Sequence, residues 1–527
     1  MRYILLILIF TILSGCARRS RPDGGPKDED KPIMVKAKPD FGSTHFNADE
    51  IKIYFDEYIK LKDLNKQLII SPPLKYPPIV MPQGTPSKYI TIKILDTLRE
   101  NTTYTFNFGY SVIDNTEGNV LENFKYVIST GDYIDSLKVT GTIKDAFSRE
   151  QNENVILMLY PVEGEFNDSI VFKEKPTYVG ALLDSINFEI SNIKEGKYAL
   201  IALNDKSKNY KYNPKEDKIG FYPNIITAPT DTTYNLVLFK EILPFKFFRR
   251  PKEVKKGHIL FPYEGKPDSL KIEVFPEDKK ISSLITFEQG KDSLHYWFKN
   301  YKKDSISFIV SRNAYRDTLK VKLKSEEMDT LRISSGITKG FDLRDTLNVL
   351  SNTPVIKIDT SKIVLMNKDS LKQKFNVYQD RNKQKLYIDF EKEYDQKYYL
   401  DLFPGAVTDF FGIENDTLKI NFSTKRPSNY SSIYLTLKNL KRYPVIVQLI
   451  TKDGKVEASQ YAESAKEVKF ENINPSNYMV RIIYDDNKNK RWDTGNYLKK
   501  IQPEEVYYFK LLIEARANWE VVETLEL

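Results

Sequence analysis

The sequence predicts an all-β chain of tandem β-sandwich modules, and three observations carry that expectation. Apolar and polar residues alternate with period two in Ile51-Lys52-Ile53-Tyr54-Phe55, Ile90-Thr91-Ile92-Lys93-Ile94, Leu270-Lys271-Ile272-Glu273-Val274 and Leu319-Lys320-Val321-Lys322-Leu323, as half-buried antiparallel strands require. The aromatic residues are 34 tyrosines and 30 phenylalanines against 3 tryptophans, a bias toward side chains that fit a pleated surface. No long stretch of helical period with capping residues breaks the pattern.

The chain opens with Arg2 and an apolar run from Tyr3 to Leu13, about eleven residues, which suits a signal-peptide core and is too short to span a bilayer. Leu13-Ser14-Gly15-Cys16 follows it and resembles the lipobox of bacterial lipoproteins. That resemblance implies a signal peptide over residues 1–15, cleavage before Cys16, and lipidation of Cys16 on its thiol and its freed amine. Several acyl chains would anchor the protein firmly, at about 0.8 kcal/mol per buried methylene. Residues 16–36, with Gly24-Gly25-Pro26-Lys27-Asp28-Glu29-Asp30, lack apolar periodicity and are expected to form a flexible lipidated tether.

Beyond the tether, the phrase Asp, Ser or Thr, then Leu or Ile recurs, for example at Asp96, Asp135, Asp168, Asp292, Asp304, Asp317, Asp345 and Asp416. Each reads as a turn followed by the first positions of a strand. Two repeats set the domain map. Asn192-Ile193, Tyr198, Asp205 and Asn209 are matched by Asn472-Ile473, Tyr478, Asp485 and Asn489, offset by 280. Tyr104, Phe108, Val112 and Asp114 are matched by Tyr399, Phe403, Val407 and Asp409, offset by 295. The expected modules are residues 37–135, 136–240, 241–340, 341–430 and 431–527, two copies of a two-module unit around a β-rich centre. The basic stretch from Pro244 to Lys256 reads as a connector.

Phe55-Asp56-Glu57-Tyr58, Ser71-Pro72-Pro73, Asn101-Thr102-Thr103-Tyr104, Phe108-Gly109, Asp114, Glu117-Gly118-Asn119 and Ser129-Thr130-Gly131 together resemble the bacterial Ig-like domain of the S-layer SbsA type. With Cys16 upstream, the resemblance is to Ig-like-domain lipoproteins of the Bacteroidota. The second copy, over 341–430, is a weaker match, its Asn-Thr-Thr-Tyr motif having become Asp395-Gln396-Lys397-Tyr398-Tyr399. Val139-Thr140-Gly141-Thr142-Ile143-Lys144-Asp145 with Gly196-Lys197-Tyr198 is similar to transthyretin-like or carboxypeptidase-regulatory-like modules, which implies a small β-sandwich without peptidase activity. These resemblances supply a fold and an address rather than a reaction.

Composition excludes most enzyme chemistry. One cysteine and three histidines leave no material for a disulfide framework, a Cys/His zinc site or a ready His-based triad. His45, His258 and His295 stand far apart in sequence and read as packing residues. Lysine and arginine total 80 against 72 acids, but both signs alternate throughout, so nucleic acid is not an expected partner.

One constellation suits an ion. Asp205, Ser207, Asn209, Asn213 and Glu216 fall at positions 1, 3, 5, 9 and 12 of a calcium-loop frame, and Asp485, Asn487, Asn489 and Asp493 at 1, 3, 5 and 9 of another. Tyr210 and Lys490 replace the turn glycine, so any calcium binding is expected to be weak, no tighter than about millimolar. Ordinary Asx-rich turns account for the same residues. Asp56-Glu57 are adjacent on a strand, point to opposite faces and cannot flank one glycosidic bond. The run His295-Tyr296-Trp297-Phe298 offers a sugar-stacking platform only if one of its two faces is exposed.

The expected function is a non-catalytic structural or protein-binding lipoprotein of the outer membrane; the resemblance implies the periplasmic face over the cell surface, since surface-exported lipoproteins of this kind carry acids soon after the cysteine and here Arg18, Arg19 and Arg21 come first. The alternative is a glycan-binding lipoprotein that assists polysaccharide capture. The membrane, through the lipid anchor, and an envelope protein or glycan are the expected partners, with no cofactor apart from weak calcium.

Overall fold

The computed structural model describes residues 28–150, 154–164, 166–247, 250–267, 269–277, 280–287, 292–312, 315–337, 341–464 and 467–527. The signal peptide, Cys16 and the tether up to residue 27 lie outside the described residues. The chain divides into two compact units, one ending at Leu238 and one covering Phe239–Leu527. Both are all-β and built mainly of antiparallel sheets. The α-helix Leu64–Gln67 is a single turn, and among the described residues no helix is long and apolar enough to cross a membrane.

The first module of the first unit packs two sheets. One runs in the order Met34–Lys38, Glu50–Leu61, Ser87–Lys93, Ile79–Met81, with Val112–Asp114 paired to the far end of Glu50–Leu61. The other is Ile69–Ser71, Thr103–Gly109, Phe124–Ser129. Alternation places Ile51, Ile53, Ile90 and Ile92 fully inside, against Phe106, Phe108 and Tyr126. Each such burial stabilises by about 1.5–3 kcal/mol. The expected tether is shorter than residue 36: Met34–Lys38 is a strand, Met34 packs on the core, and the Asn119 amide donates to the carbonyls of Asp28 and Asp30. Asp56 and Glu57 sit at a register shift inside the long strand, where Asp56 Oδ1 accepts from the Ile33 N–H at 2.9 Å.

The second module is one curled sheet in the order Lys218–Phe221, Gly196–Asn204, Val155–Pro161, Tyr178–Leu182, Asn187–Ile193, Leu137–Asp145, Thr233–Leu238. Only the last pair is parallel. A Cβ on Gly141 would stand 1.9 Å from the Tyr234 carbonyl oxygen, so this parallel closure needs glycine there.

In the second unit, the third module sets Lys246–Phe247, His258–Glu264, Ser293–Lys299 and Ser282–Phe287 against Lys271–Val274, Ser305–Arg312 and Tyr315–Lys322. The expected connector at Pro244–Lys256 is part of this module: Phe245 is core, and Lys252–Lys255 pairs with His258–Glu264. The fourth module repeats the strand order of the first, with Ile333–Ser335, Leu347–Ser351, Lys385–Phe390 and Phe375–Gln379 in one sheet and Ile363–Asn367, Lys397–Leu402 and Leu418–Ser423 in the other. Its start corrects the expected boundary at residue 340, since Ile333–Ser335 pairs inside it and Leu331 and Ile333 pack on its core. The fifth module pairs Ser431–Lys438 with Glu467–Ile473 and, in parallel, with Glu520–Glu526, facing the sheet Val456–Ala462, Val445–Ile450, Ser476–Tyr484, Val506–Ala515.

The 280 offset holds strand for strand, Asn187–Ile193 against Glu467–Ile473 and Gly196–Asn204 against Ser476–Tyr484. The 295 offset does not. Thr103 pairs with Ser129 and Lys397 with Ser423, so Tyr104 corresponds to Tyr398 and Phe108 to Leu402, while Val112 and Asp114 do match Val407 and Asp409. A one-residue slip in a strand exchanges faces, and accordingly Tyr398 is buried whereas Phe403 is exposed. Of the Asp-hydroxyl-aliphatic phrases, Asp135, Asp292, Asp304, Asp345 and Asp416 do precede strands, but Asp168 opens the 3-10 turn Asp168–Phe172 and Asp317 lies inside Tyr315–Lys322.

Candidate functional site

The two acid and amide loops follow equivalent strands, Gly196–Asn204 and Ser476–Tyr484. In the first, Asp205 is buried; its Oδ2 accepts from the Tyr210 N–H at 2.7 Å and its Oδ1 from the Ser207 hydroxyl at 3.3 Å. Asn209 Oδ1 accepts from the Lys211 N–H at 2.8 Å, Asn213 Oδ1 from the Lys215 N–H at 3.2 Å, and Glu216 is exposed. In the second, Asp485 is fully buried and accepts from the N–H groups of Asn489 at 3.0 Å and Lys490 at 2.7 Å. Asn487 Nδ2 donates to Asp493 Oδ2 at 2.6 Å, and the Asn489 amide donates to the same oxygen. Burial opposes the Asp493 charge, but these amides and the cations Arg491 and Lys266 outweigh it and hold the carboxyl below its ordinary value.

Tyr210 and Lys490 take left-handed φ values of 61° and 63° at the frame position where a calcium loop has glycine. The loop backbone therefore bends as such a loop does, but its acceptors are engaged by main-chain N–H groups and by neighbouring hydroxyl and amide side chains. Two further carboxylates, which sequence spacing missed, complete the turns, one in each. Asp217 accepts from Lys206 and Asn213 N–H at 3.0 and 2.8 Å, and Glu504 from Asp486 and Asp493 N–H at 3.0 and 2.9 Å. Burial raises the Glu504 carboxyl above its ordinary value, Asp485 adds to this, and the backbone donors pull the other way. Among the described residues no three or more His, Cys, Asp or Glu side chains gather to hold a metal.

The turns of the first and fourth modules are built alike. Asp114 accepts from Thr116, Glu117 and Asn119 N–H groups, and Asp409 from Phe411 and Ile413 N–H and the Thr353 hydroxyl. The Tyr104 hydroxyl accepts from the Arg99 N–H at 2.8 Å, and the Tyr398 hydroxyl from the Glu393 N–H at 2.9 Å.

In the first unit the first module docks on the second, and in the second unit the fourth docks on the fifth, each through an asparagine with left-handed backbone, Asn192 (φ 57°) or Asn472 (φ 55°). Asn192 Oδ1 accepts from the Thr105 hydroxyl at 3.0 Å and its amide donates to the Asp135 carbonyl at 2.7 Å. Lys125 pairs with Glu189 at 2.7 Å beside it. Asn472 Oδ1 accepts from the Tyr394 hydroxyl at 2.7 Å, its carbonyl accepts from Arg344 Nε at 2.8 Å, and the same Arg344 pairs with Glu457 of the fifth module.

The third module brings together two histidines that are distant in sequence. His258 Nε2 lies 2.7 Å from His295 Nδ1, and its ring stacks on Trp297 with centroids 3.8 Å apart. Burial, with His295 beside it, pushes His258 down to about 3. Sequence separation hid this pair; cross-strand register on the sheet produces it. Tyr296, Trp297 and Phe298 are all buried, so neither face of this run is a sugar platform.

Comparison with known proteins agrees with this architecture at one end of the chain. Residues 28–130 match a bacterial Ig-like domain. None of the curated proteins compared matches the chain. Among solved structures the chain is similar to a chimeric titin Z1Z2 (12% identity, 34% of this chain and 96% of that one, TM-score 0.16), the human desmocollin-1 ectodomain (10%, 76% and 80%, 0.14) and the S-layer protein rSbsC (11%, 88% and 67%, 0.14). At these scores the likenesses bear neither on the arrangement of this chain nor on its activity.

Proposed function

We propose that the chain is a non-catalytic structural or protein-binding component of the bacterial cell envelope, lipidated at Cys16 and held on the periplasmic face of the outer membrane. The observation that carries the reading is the repeated junction: an Ig-like module is fixed on a sandwich by Asn192 in one unit and Asn472 in the other, each beside an ion pair that crosses between the modules, Lys125 with Glu189 and Arg344 with Glu457. Such junctions stiffen a two-module arm, which suits a spacer or a scaffold. The buried carboxylates Asp114, Asp205, Asp217, Asp409, Asp485 and Glu504 are engaged by main-chain N–H groups, which is turn-building rather than acid–base chemistry. Ig-like domains of the matched kind are in general non-catalytic.

Two experiments test it. Metabolic labelling with a fatty-acid analogue should mark the wild type and not Cys16→Ala; equal labelling removes the anchor. Mild cross-linking on membranes followed by capture of the chain should yield a defined envelope partner, and capture of the chain alone would argue for a pure spacer.

The glycan-binding reading is favoured by one feature, the pair Tyr378 and Tyr387 on neighbouring strands, stacked with centroids 5.0 Å apart at 19°, with Tyr378 half exposed. Polysaccharide retention abolished by Tyr378→Ala would support it over a protein partner.

A further inference from the structure

Between the first and second modules of the first unit lies a cleft of about 360 Å³, within the size range of small-molecule sites. Its floor is apolar, with Leu64, Leu68, Leu74 and Val80 from the first module and Val155 and Ile156 from the second. One wall carries Pro73, Pro77 and Pro78, which have no N–H to offer. An extended peptide would find few backbone donors there, so the body of an occupant is held by apolar contact.

The rim is cationic, formed by Lys66, Lys75, Lys175 and Lys208. The lining carboxylate, Asp205, already accepts from Tyr210 and Ser207. Asp96 stands nearby and accepts from the Lys75 N–H at 2.5 Å. Lys175 and Lys208 reach from the second module to carbonyls of the first, Leu74 and Asn65, each at 2.8 Å. These acceptors are neutral and an ammonium has three donors, so each bond leaves donors to spare, although Lys175 also lies 5.9 Å from the centre of the Tyr210 ring. Burial holds Lys175 below its ordinary value; Asp96 opposes this, and Lys211 adds to it. An ammonium at the edge of an apolar floor is matched by an anion that brings its own hydrocarbon.

We propose that this cleft binds one single-chain alkyl carboxylate of the fatty-acid class, its chain on the leucine and valine floor and its carboxylate among the rim lysines. This goes beyond a structural role, because it gives the first unit a lipid ligand independent of the anchor at Cys16.

The test is isothermal titration of the polypeptide from Ala17 to Leu527, which keeps every described residue, with laurate, dodecanol and acetate, laurate being kept below its micelle concentration. Laurate is expected to bind saturably at one per chain, dodecanol at least tenfold more weakly, and acetate not at all. K175Q/K208Q should weaken laurate at least tenfold while changing dodecanol less than twofold. Because those two lysines also bridge the modules, K66Q/K75Q serves as a second variant, expected to weaken laurate about threefold with an unchanged melting transition. Laurate binding that does not saturate, equal affinity for laurate and dodecanol, or laurate affinity unchanged in whichever lysine variants fold would overturn the proposal.

Discussion

Asp217 and Glu504 hold the same two backbone positions in the two sandwich modules although they reach them from different places in the chain. Asp217 accepts from the N–H groups of Lys206 and Asn213, and Glu504 from those of Asp486 and Asp493, the residues at the same offset of 280. Asp217 stands four residues after Asn213; Glu504 comes from beyond the turn at Asn496–Ile501 and its longer side chain covers the added distance. Removing either leaves two N–H groups without an acceptor. Asp217→Ala and Glu504→Ala are each expected to cost about 2 kcal/mol in urea denaturation, and loss of less than a few tenths would show that water replaces the carboxylate.

The same geometry bears on calcium. Main-chain donors already occupy Asp205 and Asp485, so several millimolar calcium is expected to move the melting transition by no more than about 1 °C. Asp205→Ala and Asp485→Ala should lower it in calcium-free buffer. A shift of several degrees, abolished by those substitutions, would instead establish a weak ion site.

Tyr104 and Tyr398 make equivalent hydroxyl bonds to backbone N–H groups. Tyr104→Phe and Tyr398→Phe should each cost about 1 kcal/mol. Tyr399→Phe should cost almost nothing, and an equal loss there would restore the offset of 295 that strand pairing contradicts.

Docking through Asn192 implies that the second module is less stable alone than with its neighbour. A fragment of residues 137–240 should give a strand-dominated circular dichroism spectrum yet melt earlier than residues 28–238, and Asn192→Ala should narrow that gap. Identical melting of the two fragments would mean that the junction contributes nothing.

His258 supplies a pH dependence with a definite sign. Its folded value lies near 3, below the ordinary 6.5. As pH falls below 6.5 the unfolded chain takes up a proton that the folded chain refuses, so stability present at neutral pH is lost progressively toward pH 3. Between pH 7 and pH 5 the loss should approach about 2 kcal/mol, at about 1.4 kcal/mol per unit. His258→Phe, which keeps an aromatic ring against Trp297, should flatten the profile followed by tryptophan fluorescence; an unchanged slope would place the acid sensitivity elsewhere.

Much of the fold was legible because strands declare themselves locally. Ile51, Ile53, Ile90 and Ile92 alternate in sequence and are all fully buried, and Asn192 and Asn472 mark equivalent strands. What escaped was non-local. Counting from Tyr104 could not reveal that the connection before Val112 is one residue shorter than that before Val407, which moves the register by one and selects Tyr398 over Tyr399. Nothing in the spacing tied Glu504 to Asp486, or His258 to His295, since loop closure and sheet pairing bring them together.

In both sandwich modules the first strand pairs in parallel with the last, Leu137–Asp145 with Thr233–Leu238 and Ser431–Lys438 with Glu520–Glu526. Tension applied along the chain draws the start of the first strand one way and the end of the last strand the other. The two strands must then slide past each other, and their hydrogen bonds resist together in shear instead of parting one by one as a peeled hairpin does. A molecule tethered at one end and pulled at the other would thus meet its greatest mechanical resistance in these two modules.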